Sequence, residues 1–217
     1  MTFAGIPDEA LAFYEGLEAD NSKAYWTDHK QVYDACVRDP LLALMAGLEA
    51  EFGPAKLFRP YRDVRFSKDK TPYKTHAAFV TRDDASGLLY CQLGADGLSF
   101  GGGYHHTSTD QGQRLRAAVA DDRTGQALTQ VLAPLESDGW EVGGERYVRV
   151  PKPYLPDAPR AELLRAKSLT VFRHHEPAEW LHGPGCLDRV AAAWRAVGPL
   201  NDWLATYVGP PRDVVQR

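Results

Sequence analysis

Leu88-Leu89-Tyr90-Cys91-Gln92-Leu93-Gly94-Ala95-Asp96-Gly97-Leu98-Ser99-Phe100-Gly101-Gly102-Gly103 decides the fold. Two strand-forming runs flank Gly94-Ala95-Asp96-Gly97, a tetrapeptide with the composition of a tight turn, so the stretch reads as a hairpin of strands Leu88–Leu93 and Leu98–Gly103. Upstream, a period of two continues through Phe58–Phe66 and Thr75–Thr81, and the short connections imply antiparallel pairing. Downstream, Trp140-Glu141-Val142 and Tyr147–Val150 flank Gly143-Gly144 as two further strands, and Ser168–Arg173 supplies another.

Outside this block the period is helical. After Pro7, residues Ala10, Phe13, Tyr14 and Leu17 share one helical face, and Asp20-Asn21-Ser22 interrupts and recaps the chain. Two helices are expected next. One carries Trp26, His29, Tyr33 and Cys36, and a second, capped by Asp39 with Pro40 in its first turn, ends at Gly53-Pro54. Helical spacing returns after Thr109-Asp110 through Leu115, Val119, Leu128 and Leu132, and again from Leu187 through Trp194 and, beyond Gly198-Pro199, to Tyr207. Pro151-Lys152-Pro153-Tyr154-Leu155-Pro156 reads as extended. The expectation is an α+β fold, a mainly antiparallel sheet with helices toward the N- and C-terminal ends, in a single domain spanning residues 1–217.

At this length a chain buries roughly 70% of its extended surface and needs neither disulfides nor metals to stabilise its core. Cys36, Cys91 and Cys186 are odd in number, widely spaced and flanked by apolar residues, which fits buried thiols in a reducing compartment. The N-terminal stretch lacks the features of a secretory signal, and no run approaches the ~18 apolar residues of a membrane span. A cytoplasmic protein with no membrane partner is the expectation.

Charge supplies the functional clue. Between Lys56 and His76 lie seven fixed positive charges and two negative ones, a segment of +5 in a chain of net charge −4, which leaves −9 for the remainder. A general nucleic-acid coat is excluded by that balance; the positive field is local. Four of the eight lysines fall in this segment. Arg59, Arg62, Arg65, Lys68, Lys70 and Lys74, with Tyr73, are the candidate ligand-binding residues, because phosphate and carboxylate oxygens reward forked and point-charge donors together. On a Phe58–Phe66 strand Arg62 would share a face with Phe58, Val64 and Phe66, which demands either a carboxylate partner or a ligand. His76 and Asp63 are the candidate proton-transfer groups, His76 because neighbouring cations favour its neutral form. The expected function is binding of a phosphorylated or carboxylated small molecule, with transferase or hydrolase chemistry as an addition to binding. A nucleic-acid module stacking bases on Tyr61 or Tyr73, and an adaptor for an acidic protein, are the alternatives.

Other motifs carry less. Gly97-Leu98-Ser99-Phe100-Gly101 matches a serine-hydrolase pattern but sits in a hairpin strand, with glycines where that mechanism needs a helix; those glycines instead suit close backbone approach to a strand or a ligand. His105-His106 and His174-His175-Glu176 lack metal-site spacing, and no metal is expected. No nucleotide or redox-cofactor fingerprint is present, which leaves the cofactor unassigned.

The stretch Phe58-Arg59-Pro60-Tyr61-Arg62-Asp63-Val64-Arg65-Phe66-Ser67-Lys68-Asp69-Lys70-Thr71-Pro72-Tyr73-Lys74-Thr75-His76 resembles the signature of the domain of unknown function 2461 family. Asn21–Tyr33, Gly101-Gly102-Gly103-Tyr104 and Leu163-Leu164-Arg165-Ala166-Lys167-Ser168 resemble its shorter blocks. The resemblance implies an α+β single domain and transfers no activity to any residue. Tyr25-Trp26 stands where members commonly show Trp-Phe.

Overall fold

The computed structural model describes residues 2–63, 65, 69–81 and 87–212. Among them the helices are α1 (Asp8–Ala19), α2 (Lys23–Val32), α3 (Asp39–Phe52), α4 (Thr109–Ala120), α5 (Asp122–Ser137), α6 (Ala161–Leu164) and α7 (Gly185–Tyr207). The strands are β1 (Ala55–Leu57), β2 (His76–Thr81), β3 (Leu88–Gly94), β4 (Gly97–Tyr104), β5 (Glu141–Gly143) and β6 (Leu169–His175). They form a six-stranded antiparallel sheet in the order β1-β2-β3-β4-β6-β5, so the α+β architecture expected from the sequence is present. The decisive hairpin is β3-turn-β4, and β2 pairs with β3 through His76↔Gly94 to Val80↔Tyr90.

The chain forms two compact units. The first comprises Met1–Arg82, Tyr90–Phe100 and His174–Ala192, and the second Asp83–Leu89, Gly101–Arg173 and Ala193–Arg217. In the first unit α1 places Phe13 at the centre of an aromatic cluster, with ring centroids 5.2 Å from Tyr14, 5.9 Å from Trp26 and 5.6 Å from Tyr33. Leu41, Leu44, Phe79 and Leu93 are fully buried there. In the second unit Leu115, Leu128, Leu200 and Leu204 are fully buried and Trp194 is 1% exposed. The Trp203 indole donates to the Thr124 carbonyl at 3.0 Å, so even that large ring has its polar atom satisfied.

Three expectations are corrected. Asp39 does not cap a separate helix: α2 runs into α3 through a π-helical turn, Tyr33–Arg38, with Asp39 itself in helical geometry. Pro40 lacks an N–H and its ring crowds the preceding turn; the wider turn absorbs that defect without ending the helix. The described residues of Phe58–Phe66 form no strand, and Val64 and Phe66 lie outside the described residues. β1 ends at Leu57, and among the described residues beyond it an isolated bridge joins Tyr61 to Tyr73, flanked by Arg62 N–H to the Pro72 carbonyl at 2.9 Å and Lys74 N–H to the Pro60 carbonyl at 2.8 Å. Pro60 and Pro72 can accept but not donate, so the ladder does not extend. Finally, Tyr147–Val150 forms no strand beside β5; β5 pairs with β6, Val142 opposite Val171, and Arg146 makes one bridge to Ala166.

Candidate functional site

In the basic segment the side chain of Asn21, next to the Ser22 cap of α2, does the work of a neighbouring strand. Its Nδ2 donates to the Tyr73 carbonyl at 3.0 Å, and its Oδ1 accepts from the Tyr73 N–H at 3.1 Å. The Tyr73 ring is 5% exposed and stacks on Trp26, with centroids 4.4 Å apart and planes 8° off parallel. Tyr25, the other residue of the departing Tyr25-Trp26 pair, stacks on His29 at 4.0 Å and donates its hydroxyl to the Phe13 carbonyl at 2.9 Å. Tyr73 is therefore a core residue of the segment, while Tyr61 is 48% exposed at its surface.

Among the described donors two arginines hold carboxylates, while Arg59, Arg62 and Lys74 lie close enough to act on one another. Arg62, half-buried, donates Nε to the Tyr73 carbonyl at 3.0 Å and pairs through Nη1 with Asp69. Arg65 is exposed and forks onto Asp63, Nε at 2.9 Å and Nη2 at 2.6 Å. Arg59 and Lys70 are exposed, and the Lys74 ammonium lies 5.2 Å from the centroid of the Phe58 ring. Lys68 lies outside the described residues.

The two candidate proton carriers differ. The Arg65 hydrogen bonds hold the Asp63 carboxyl below the usual carboxylate range, which makes it a weak base. His76 is shifted below the ordinary histidine value, by burial first and then by Lys74 and Arg62, with Asp96 opposing. Burial of the ring thus outweighs the cations that the sequence singled out.

The Ser99 hydroxyl lies 2.9 Å from His174 Nδ1, and His174 Nε2 stands 3.8 Å from Asp96. Ser99 is 4% exposed within β4, which keeps its hydroxyl from any substrate; the contact satisfies a buried polar atom. At Gly103, where φ is +106°, a Cβ would overlap the Leu169 carbonyl, so this glycine serves close approach to β6.

The second unit holds a cleft of about 300 Å³ lined by His105, His106, Thr107, Ser108, Thr109, Gly112, Arg116, Glu145, Tyr147, Lys167 and Ser168. Its floor is the start of α4. Ser108 caps the helix and accepts from Gln111 N–H at 3.3 Å, while the Gln111 side chain accepts from Ser108 N–H at 3.0 Å, a reciprocal capping box. Its wall is segment 165–168, tied to segment 145–147 by Lys167 N–H to the Glu145 carbonyl and Tyr147 N–H to the Arg165 carbonyl, both 2.7 Å. Glu145 N–H donates to Ser168 Oγ at 2.9 Å. Thr107 Oγ1 donates to the Lys167 carbonyl at 2.5 Å.

Two cations face this space. Arg116 is only 9% exposed, yet its guanidinium makes one hydrogen bond, Nη1 to the Ala166 carbonyl at 3.3 Å, and has no carboxylate partner among the described residues. Lys167 Nζ is 4.0 Å from Glu145. Arg116 and Lys167 lie 5.2 Å and 5.0 Å from the centroid of the Tyr147 ring, two cation–π contacts that orient both without neutralising either. Neither residue stands out in the sequence alone. Gly112, Leu115, Arg116 and Val119 share a helical face, so the signal was a charge on the buried side of α4, and Lys167-Ser168 closes a block already noted as family-like.

The fold and this cleft define an α+β protein with a polar, cation-bearing site built on a capped helix and the segment that precedes β6. The chain belongs to the family described as conserved hypothetical protein (DUF2461), whose model matches residues 9–203. No curated protein and no solved structure matches it.

Proposed function

We propose that this protein binds a phosphorylated or carboxylated small molecule, with the cleft on α4 as its seat. The observation that carries the reading is Arg116: a side chain nine-tenths buried whose guanidinium opens on a cavity, with one neutral acceptor and no counter-ion among the described residues. A buried charge without a partner is very costly, so a fold that keeps one beside a cleft favours an anionic guest as the missing partner. The volume is that of a metabolite site. Lys167 adds a second charge, and His105, His106 and Ser168 bring groups able to move a proton or donate a hydrogen bond to the guest.

In the basic segment, by contrast, Arg62 and Arg65 already hold carboxylates. Buried thiols at Cys91 and Cys186 favour a reducing, cytoplasmic setting, and no described helix is long and apolar enough to cross a membrane.

Calorimetry with a panel of phosphomonoesters, nucleotides and di- and tricarboxylates tests the reading. At least one compound is expected to bind, with Arg116→Ala weakening it tenfold or more and an Arg65→Ala/Lys70→Ala double variant leaving it unchanged. Equal binding by wild type and Arg116→Ala would sink the cleft, and loss in the double variant would return the seat to the basic segment.

A second reading rests on Tyr61, whose 48% exposed ring belongs to the basic segment and suits a nucleic-acid base or an acidic protein partner.

A further inference from the structure

Helix α4 carries a glycine one turn in from its cap, where a helix interior disfavours glycine. Its surroundings supply the reason. A Cβ at Gly112 would stand 3.3 Å from Arg116 Nη1, 3.5 Å from the Lys167 carbonyl oxygen and 3.7 Å from Thr107 Oγ1. The Arg116 side chain therefore runs back along its own helix, in the direction helical side chains lean, and lays its guanidinium over the missing side chain toward the helix N-terminus. At that end the N–H groups of Thr109 and Asp110 have no acceptor among the described residues, because the capping box serves Gln111 and the Ser108 carbonyl serves Gly112. Three kinds of donor thus border one cleft: the first-turn backbone at Thr109, a forked guanidinium and, from segment 165–168, the Lys167 ammonium.

Resting on the reading of the cleft as an anion site, we infer that its guest presents a terminal phosphoryl group, and that Gly112 is the positioning residue that lets the guanidinium reach it. A carboxylate has two coplanar oxygens, which one guanidinium fork saturates. A phosphomonoester has three terminal oxygens and a charge approaching −2 at neutral pH, which matches a fork, an ammonium and a helix N-terminus together. The negative groups nearby are accounted for. Asp110 is engaged by Arg114 Nη2 at 2.8 Å and Arg212 N–H at 3.1 Å, and Glu145, 63% exposed, competes for Lys167 from solvent. A dianion outcompetes that single screened carboxylate where a monoanion does not.

Titration calorimetry at pH 7.5 with inorganic phosphate, glycerol phosphate and acetate, on wild type, Gly112→Ala, Arg116→Lys and Arg116→Ala, tests the inference. Both phosphates are expected to bind at least tenfold more tightly than acetate. Arg116→Lys, which keeps the charge but not the fork, is expected to lose tenfold or more. Gly112→Ala, a change that suits helical backbone, is expected to melt no lower than wild type while binding phosphate several-fold more weakly. Acetate binding as tightly as phosphate, with Arg116→Ala abolishing both, would overturn the phosphoryl assignment and leave the anion site standing. Phosphate affinity unchanged in Gly112→Ala would overturn the positioning role. No binding of any anion by wild type would remove the inference together with the reading beneath it.

Discussion

His76 opens β2 with a half-buried ring whose proton affinity is reduced by burial, by Lys74 and by Arg62. The sign of its pH effect follows directly. Because the folded-state value lies below the unfolded one, the unfolded chain binds the extra proton first as pH falls. Stability is therefore unaffected by this group above the ordinary histidine value and declines as pH drops through the interval between the two values. Thermal melts at pH 7.5 and pH 5.5 are expected to differ less for His76→Gln than for wild type. An equal difference in both would show that His76 does not set acid sensitivity. Lys74 shifts in the same direction for the same reasons, burial first and then Arg59 and Arg62, so the two groups share one crowded, cation-rich corner. At this scale much was legible: the sequence placed His76 among cations, but the weight of burial needed coordinates.

Among the elements, the β3-turn-β4 hairpin and the helical tracts were legible because each has a strong period and sharp turn residues. Phe58–Phe66 misled because its alternation persists across Pro60 and faces Pro72, neither of which can donate to a ladder. The facing Tyr73 takes a strand-like pair of hydrogen bonds from the Asn21 side chain, 52 residues away, which no local pattern reveals. The glycines of β4 show the opposite case, a local feature with a readable purpose. Gly103 combines a φ of +106° with the Leu169 carbonyl in the space a Cβ would take. Gly103→Ala must both strain the backbone and separate β4 from β6, so a loss of at least about 2 kcal/mol is expected. Urea unfolding measures it; a change under about 0.5 kcal/mol would show that the two strands can part without cost.

Across the whole chain the basic segment dominated the sequence reading because charge is visible in one dimension and charge pairing is not. Asp63 and Asp69 look like minor interruptions among seven cations, yet each is bonded to an arginine. Arg116 went unselected for the complementary reason. Its place in the reading comes from having no carboxylate partner among the described residues and from the cavity it faces, and both are properties of packing. This difference also decides what nucleic acid should do. Four independent phosphate contacts would give a log-affinity against log-salt slope of about −3 to −4. Here every phosphate reaching Arg62 or Arg65 must displace an internal carboxylate, and the rest of the chain, at −9, repels the polyanion. Fluorescence anisotropy with single- and double-stranded 20-mers is expected to show weak retention at low salt, a slope shallower than −2 and no binding near physiological ionic strength. A slope of −3 or steeper, reduced by Tyr61→Ala on single strands alone, would shift the functional reading from the metabolite cleft to Tyr61 and its neighbouring cations.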